Sequence, residues 1–492
     1  MIGLQLSISQ ILLISGTILA WCFYKYYLKP YRHLRKLGLS GPRPKPLFGN
    51  LLDGKSASQH LVQVERQEKY GHVYGTLFFS VPTIWIGDPE VLKSVLIKDF
   101  SNFTNRFGIA NNLEPFNKTL VELRDTDWKR VRNILIPTFS TSKLKLTFPC
   151  VDKASNEIVV MLLNAEKEGR SIELWRICGK FTMKVILASA FGIEFESKEQ
   201  EKRLTGAASQ LTSNSPGLLH ILLLFATPLF RILEPLFGGQ FMNSLNYLAD
   251  TCRNVIKERR KNMSEGVSCR RDMLQQMIEA GDNDKLDDKE IIAQALVFLV
   301  GGYETTANTL AFATYLLATN PEIQRRLYHE IKTKLNDTDP LDYDCVSDLP
   351  YLEMVILETL RIYPPAFRVT RKCKNDITID GHQISKEAMI AIPIYAIHHN
   401  PKLWPNPEQF MPERFTPEEK SKHAACAFLP FGNGPRNCIG KRLALLEVKL
   451  ALVKILRSVE LITTEETDVP LPLRCGITMS PANGINLGCK RR

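Results

Sequence analysis

The sequence contains no C-x-x-C pair and no regular cysteine spacing, although it has 11 cysteines in 492 residues. An odd number of scattered cysteines argues against a disulfide framework and favours reduced thiols facing the cytosol. Lysine- or arginine-rich runs with interleaved aromatic residues are also missing, as is any zinc-finger spacing. The formal charge of +11 therefore indicates an anionic membrane surface or an acidic protein partner, and no nucleic acid.

Charged side chains are missing from residues 1–24, which are long enough to cross a bilayer. Lys25, Lys29 and further basic residues follow, with Trp21 and tyrosines at the boundary. A cleaved signal peptide would instead place its basic residues before the apolar stretch. The sequence therefore predicts an N-terminal transmembrane anchor over 1–24, with the remaining chain in the cytosol. Residues 25–50 are predicted to form a basic and proline-rich hinge, because alternating prolines stiffen a chain.

A second long stretch without Asp, Glu, Lys or Arg runs from Leu204 to Phe230. Pro216 and Pro228 argue against one uninterrupted membrane-spanning helix. We expect two short helices in the membrane interface, with packing in a protein core as the alternative.

One cysteine ends a glycine-rich loop, Phe431-Gly432-Asn433-Gly434-Pro435-Arg436-Asn437-Cys438-Ile439-Gly440. An apolar helix is predicted from Ile439 to about Ile455. A thiolate at Cys438 would face the free amides and the positive end of that helix, which would stabilise its charge. Arg436 could reach an anionic group on a flat ligand, and Phe431 could pack against it. The alternative is a buried structural cysteine.

The pattern Phe-x-x-Gly-x-Arg-x-Cys-x-Gly resembles the haem-binding loop of the cytochrome P450 family. The resemblance implies that Cys438 is the axial thiolate ligand of the iron of haem b, iron protoporphyrin IX. It also implies a mainly α fold with small β-sheets, and divides the chain into an anchor (1–24), a hinge (25–50) and a cytochrome P450 haem domain (51–492).

Trp128 and Arg132 are four residues apart and share one face of a predicted helix. An indole N–H and a guanidinium on one face suit a carboxylate ligand, although a packed surface helix would also explain them. In the family, Trp-x-x-x-Arg binds a haem propionate. The same resemblance gives Arg106 and Arg371 as further propionate contacts.

A long helix is predicted from about Asp288 to Ala318, with two consecutive glycines, Gly301 and Gly302, in its middle. Glycine costs about 1 kcal/mol against alanine inside a helix, so a group must approach closely there or the helix must open. Glu304 and Thr305 follow directly and could deliver protons in catalysis. This stretch resembles the family's oxygen-activation motif. Alternatively, Thr305 bonds a carbonyl of its own helix and only bends it.

Downstream motifs also match the family in order. Glu358, Arg361 and Arg414 are expected to form a buried structural network. Ala366 and Phe367 are candidate substrate contacts over the haem. Hairpins are predicted at Asp380-Gly381 and near Asn483-Gly484.

Within the family, Trp128–Lys145 resembles the vertebrate three-A drug-metabolising group. The segments 307–321, 349–371 and 396–415 resemble thromboxane-A synthase, an endoperoxide isomerase with isoleucine where this chain has Thr305. The threonine favours a monooxygenase over an isomerase. The resemblance implies that this monooxygenase is bound to the membrane of the endoplasmic reticulum and oxidises a lipophilic substrate. NADPH-cytochrome P450 reductase would supply electrons, with cytochrome b5 as a further partner. The alternatives are an endoperoxide isomerase and a non-catalytic haem-based binding or sensing protein.

Overall fold

The structure is a computed structural model that describes residues 7–46, 48–54, 58–108, 113–192, 197–212, 239–267, 272–282, 286–335 and 340–492. Most of the described chain is helical, as predicted, and the strands form small sheets. The α-helices are Ile8–Phe23, Lys29–Lys36, Gln59–Tyr70, Pro89–Lys93, Asp125–Leu135, Thr141–Lys167, Leu174–Ile186, Lys198–Thr212, Gly239–Ser264, Met273–Asp282, Asp288–Thr319, Pro321–Lys334, Tyr343–Ser347, Pro350–Ile362, Ile394–His398, Pro417–Lys422 and Lys441–Ser458.

The first helix, Ile8–Phe23, begins with a Ser7 cap and buries none of its side chains against the protein. It continues through a π-helical turn, Tyr24–Leu28, into the basic helix Lys29–Lys36. Among the described residues, this continuous helical stretch is the one that is long and apolar enough to cross a membrane. The helix agrees in position with the predicted anchor.

Eleven strands are described, and they form four small sheets. One sheet has the order β1-β2-β7-β4, in which β2 and β7 are parallel and the other pairs antiparallel. The others are β3-β11-β8, β9-β10 and β5-β6, all antiparallel. The strands are β1 Val73–Phe78, β2 Val81–Ile86, β3 Ile172–Glu173, β4 Val369–Lys372, β5 Ile377–Ile379, β6 His382–Ile384, β7 Met389–Ile392, β8 Val459–Ile462, β9 Leu473–Cys475, β10 Met479–Pro481 and β11 Asn486–Arg491.

The helix Asp288–Thr319, called the central helix below, runs through the main hydrophobic core. Asp287 caps its first turn and accepts a bond from the Glu290 amide, while the Glu290 side chain bonds back to the Asp287 amide. This reciprocal cap satisfies amides that a helix start leaves open. The central helix is buried along nearly its whole length, as the apolar sequence predicts.

The Glu358 network is present as predicted. Glu358 and Arg361 are fully buried and paired through two bonds of 2.7 and 2.8 Å, and Arg414 reaches Glu358 at 3.2 Å. Arg361 also donates to the carbonyls of His398 and Pro407. Each buried charge in the network therefore has a partner, which offsets the cost of burying it. Through the bonds to His398 and Pro407, the network also connects the helix Pro350–Ile362 to the chain that leads towards the cysteine loop.

Two predictions about turns have different outcomes. Asp380 and Gly381, both with positive φ, form the tight turn between β5 and β6, as expected. The hairpin predicted near Asn483-Gly484 was wrong, because β10 pairs with β9 while β11 pairs with β3 and β8. The predicted interfacial helices largely lie outside the described residues, since the helix Lys198–Thr212 ends where the description stops.

Candidate active site

The loop that carries Cys438 turns sharply before the helix Lys441–Ser458. Gly432 and Gly434 both have φ of +69°, which side chains rarely adopt. A Cβ at Gly434 would lie 1.9 Å from the carbonyl oxygen of Leu96, so only glycine fits there. The helix starts two residues later than predicted because Gly440 acts as its N-cap residue.

The Cys438 side chain is exposed to solvent, although the surrounding chain encloses it. Burial raises the pKa of the Cys438 thiol, while the Gly440 amide and the charges of Arg106, Arg132 and Lys441 act in the opposite direction. The sulfur therefore faces an internal space at a helix start, among groups that stabilise a thiolate.

Four arginines come together beside this space: Arg106, Arg132, Arg371 and Arg436. Burial and repulsion by neighbouring guanidinium groups lower the pKa of Arg371 and of Arg436 to about 9. The Nε atoms of Arg106, Arg371 and Arg436 are buried and have no hydrogen-bond partner in the described part of the chain. Such a cluster of buried cations is unfavourable unless an anion neutralises it.

The arginine cluster fits the two propionate groups of a haem. Its unpartnered donors are charged and buried, and a carboxylate accepts strong bonds from such groups. A thiol two residues from Arg436 supplies a soft ligand suited to iron. Arg132 has a further role that the sequence does not predict: it donates to both oxygens of Asn437, at 3.1 and 2.7 Å, and thereby holds the cysteine loop.

Trp128 packs between two of these arginines. Its ring centre is 4.3 Å from the Arg436 guanidinium carbon and 5.8 Å from that of Arg132. Arg436 in turn donates to the Leu123 carbonyl at 2.6 Å. The helix Asp125–Leu135 and the cysteine loop are thus joined through stacked cations. Phe431, the other aromatic residue predicted at the ligand, is half-buried at the start of the loop.

The central helix has an opening at its two glycines. Gly301 is exposed although Val300 and Glu304 on either side of it are buried, and a Cβ built on Gly301 would meet nothing within 4 Å. At Gly302 a Cβ would lie 3.0 Å from Cδ1 of Ile186, so this glycine allows close helix packing. The glycine pair therefore combines an open side with a tightly packed one.

Glu304 and Thr305 follow the opening. Glu304 is 2% exposed, and the Thr305 side chain is half-buried. The Thr305 hydroxyl donates to the Gly301 carbonyl at 2.7 Å, which is the bond that the alternative interpretation of the sequence predicts. The oxygen of the same hydroxyl keeps its lone pairs, so it can still accept a hydrogen bond from a second group.

Phe139 connects the two sides of the site. Its ring lies 5.6 Å from that of Phe298, three residues before Gly301, in an edge-to-face arrangement. Its Cε1 atom is 3.7 Å from a Cβ position on Gly440. The opening of the central helix and the start of the Lys441–Ser458 helix are therefore neighbours in space.

His398 is a residue of the site that the sequence analysis missed. Its Nε2 accepts the Leu429 amide at 2.9 Å, so its proton is on Nδ1, which lies 3.1 Å from the Arg361 carbonyl. Burial lowers the pKa of His398 well below its usual value and keeps the ring neutral. One imidazole thus connects the Glu358 network to the chain that precedes Cys438. The pair His398-His399 before Asn400-Pro401 was a visible but unspecific signal.

The segment that precedes β4 differs from expectation. Phe367 is 1% exposed and packs with Tyr395, Cys475 and Met479, away from open space. Ala366 is half-buried, and Arg368 is the accessible side chain of this stretch. Of the two predicted substrate contacts, the structure leaves Ala366 available and Phe367 packed.

Comparison with known proteins decides the family. The family model for Cytochrome P450 matches residues 39–487. The chain belongs to the cytochrome P450 family. Similar curated proteins include cytochrome P450 3A2 of Rattus norvegicus, which is 37% identical over 479 residues, and cytochrome P450 3A5 of Homo sapiens, which is 36% identical over 480. Each alignment covers 94% of this chain and 93% of the relative.

As a cytochrome P450 with three-A relatives, the protein is a haem-dependent monooxygenase, an oxidoreductase whose cofactor is haem b. This finding argues against the alternative of a non-catalytic haem-based binding or sensing protein. The predicted fold is also confirmed, since the helix-rich structure with small sheets is that of a P450. The described cysteines are free, as the spacing predicted.

Proposed function

We propose that this P450 is anchored in the membrane of the endoplasmic reticulum and inserts one oxygen atom from O2 into a lipophilic substrate. The observation that carries the proposal is the position of Cys438. Its accessible sulfur lies at a helix start beside four arginines, and Phe139 connects this region to the opening at Gly301.

Each predicted site residue has a role in this proposal. Cys438 would supply the thiolate that holds the haem iron, and haem would supply dioxygen activation when it is bound. Phe431 packs against the cofactor. The remaining cofactor-binding residues would hold the propionates: Arg106, Trp128, Arg132, Arg371 and Arg436.

Glu304 and Thr305 are the proposed catalytic residues. Thr305 lies one helical turn after Gly301 and orients its hydroxyl through the bond to the Gly301 carbonyl. Glu304 brings an ionisable group to the same turn of a buried helix. Together they would hold and move protons at the opening of the central helix, where general acid–base catalysis needs them.

The proposal divides the chain into the anchor (1–24), the hinge (25–50) and the haem domain (51–492), with the haem domain in the cytosol. Lys441 and Arg442 are exposed at the start of the helix that follows Cys438. An acidic NADPH-cytochrome P450 reductase would dock on this basic face and deliver electrons from NADPH. Cytochrome b5 is proposed as a second acidic partner on the same face.

The reduced carbon-monoxide spectrum tests the assignment of the cysteine. Purified full-length protein is expected to show a band at about 450 nm, as thiolate-ligated haem does. Cys438→Ser should lose this band, whereas Cys426→Ser, a change at a buried cysteine of the same region, should keep it. Persistence of the band in Cys438→Ser would overturn the assignment.

An endoperoxide isomerase is the second candidate, because the segments 307–321, 349–371 and 396–415 resemble thromboxane-A synthase, although Thr305 stands where that enzyme has isoleucine. The two candidates differ in their need for electrons. The monooxygenase requires NADPH, reductase and O2 to oxidise a panel of lipophilic compounds. Conversion of a prostaglandin endoperoxide without NADPH, with no oxidation of the panel, would favour the isomerase.

A further inference from the structure

The segment Pro364–Arg368 crosses the space between the central helix and the arginine cluster. At one end, the Pro365 carbonyl accepts the Met479 amide at 2.9 Å, and the Met479 carbonyl accepts the Asn308 side chain at 2.8 Å. Asn308 lies three residues after Thr305 on the central helix. At the other end, the chain reaches Arg371 in β4. Residues between these two ends therefore border the proposed reaction space.

Arg368 is the accessible side chain of this segment. Its guanidinium carbon lies 5.2 Å from the ring centre of Phe367, a side chain that is 1% exposed. Its charge interacts with Cys475, which is also buried, and burial lowers the pKa of Arg368. The Arg368 side chain is exposed although it packs on the buried Phe367 ring, so a small molecule can reach the guanidinium beside buried apolar side chains.

Within the described chain, the Arg368 side chain has a ring contact with Phe367 and forms no ion pair or hydrogen bond. The Arg368 guanidinium packs against Phe367, whereas the Arg436 guanidinium of the arginine cluster packs against Trp128. Arg368 is thus a second cationic feature, separate from the groups assigned to the haem.

We propose that Arg368 is a specificity-determining residue that binds the carboxylate of a lipophilic substrate. The inference rests on the proposed monooxygenase function and names the substrate class of the same site. A partly desolvated guanidinium without an acidic partner gains more from an anion than a hydrated one does. Its planar fork matches the two oxygens of a carboxylate, which lysine cannot reproduce.

The surroundings of Arg368 suit the apolar part of such a molecule. Phe367, Cys475 and Met479 form a buried apolar cluster beneath the guanidinium. Ile477, in the turn between β9 and β10, is 59% exposed and offers further apolar surface near Cys475. A carboxylate at Arg368 would leave the hydrocarbon body to extend along the segment towards Ala366 and the opening at Gly301.

The test uses purified full-length holoenzyme and follows the displacement of the haem's water ligand by difference spectroscopy. The probes are matched pairs, namely dodecanoic acid with dodecanamide and a fused-ring steroid carboxylic acid with its primary amide. At neutral pH we expect the acid of at least one pair to bind about tenfold more tightly than its amide. Arg368→Gln should lower the affinity for the acid to about that for its amide, and Arg368→Lys should keep part of the preference for the acid.

Arg474→Gln is the matched control, because Arg474 is adjacent to Cys475 but packs over the Trp175 ring, 5.9 Å from its centre. It should keep the preference for the acid. Equal binding of acid and amide by the wild type in both pairs would overturn the proposal, as would a preference that survives Arg368→Gln. A missing band at about 450 nm, or no oxidation of neutral lipophiles, would instead contradict the proposed function itself.

Discussion

The guanidinium carbon of Arg436 lies 4.3 Å from the ring centre of Trp128, so the cysteine loop and the helix Asp125–Leu135 meet at a cation stacked on an indole. Because Arg436 is 3% exposed and its Nε has no partner in the described chain, we expect it to contribute strongly to haem affinity. Arg436→Gln should increase haem transfer to apomyoglobin about 10- to 100-fold, since a charge-assisted bond contributes roughly 1.5–3 kcal/mol.

Arg442→Gln is the control for this measurement. Arg442 is exposed and donates to the Thr141 hydroxyl at 2.6 Å, so its loss should leave haem transfer unchanged. Equal transfer rates for Arg436→Gln and wild type would contradict the role of Arg436.

The next prediction concerns the hydroxyl of Thr305, the proposed catalytic group. Thr305→Val removes the hydroxyl at nearly constant volume, and we expect product formation per NADPH to fall about tenfold, in line with the loss of a proton-transfer group. The band at about 450 nm should persist because haem ligation is untouched. Thr309→Val is a matched change one turn later, where the hydroxyl bonds the Thr305 carbonyl at 2.8 Å, and should have little effect on this ratio. Unchanged product formation per NADPH in Thr305→Val would contradict the proposed proton-transfer role of Thr305.

His398→Phe keeps a ring against Phe428 but leaves the Leu429 amide and the Arg361 carbonyl without their partner. Each unsatisfied buried group costs about 1–3 kcal/mol. We therefore expect the band at about 450 nm to be lost faster on mild heating. His399→Phe, at a buried histidine that bonds the Tyr395 carbonyl, should lower stability without a selective loss of this band. Similar rates of band loss in the two variants would show that His398 has no special effect on the loop.

The two glycines of the central helix should respond differently to alanine. Alanine is favoured over glycine in a helix by about 1 kcal/mol. Gly301→Ala should therefore keep or raise the thermal midpoint, because its Cβ meets nothing within 4 Å. Gly302→Ala should lower it, since its Cβ would press on Ile186 at 3.0 Å. Differential scanning calorimetry of both holoproteins checks the order, and a lower midpoint for Gly301→Ala than for Gly302→Ala would contradict it.

Glu447 should make stability depend on pH. It is 2% exposed, its Oε2 has no hydrogen-bond partner in the described chain, and burial raises its pKa well above the usual 4.5. The folded protein thus holds a proton that the unfolded chain releases above about pH 4.5. Above about pH 4.5 the free energy of unfolding therefore falls by about 1.4 kcal/mol per pH unit because of this group. The fall ends when the pH passes the pKa of Glu447 in the folded protein.

Glu447→Gln should remove this component, so that its thermal midpoint exceeds that of the wild type increasingly from pH 5 to pH 8. The exposed Glu465 provides the control, and Glu465→Gln should follow the wild-type pH dependence. A Glu447→Gln curve parallel to that of the wild type would show that Glu447 is already ionised in the folded state.

Sequence patterns predicted the structure correctly where the interacting residues are only a few positions apart. Trp128 and Arg132 share a helical face because they are four residues apart, and Asp380-Gly381 forms a two-residue turn because both positions accept positive φ. The buried Glu358 network also appeared as expected. Asn483-Gly484 was misread because the pairing of β10 and β11 depends on β9, β3 and β8, and a turn sequence does not specify a strand's partners.

The sequence by itself determined the family, the glycine-rich cysteine loop and the long apolar helix with its Gly-Gly-x-Glu-Thr motif, because residue type and spacing are sufficient for these. Tertiary structure alone decided that His398 links Arg361 to Leu429 and that Arg132 holds Asn437, across 305 positions of the chain. It also decided that Phe367 is packed away while Arg368 remains accessible. Side-chain direction and partners depend on how distant segments pack, and no local pattern in the sequence specifies that packing.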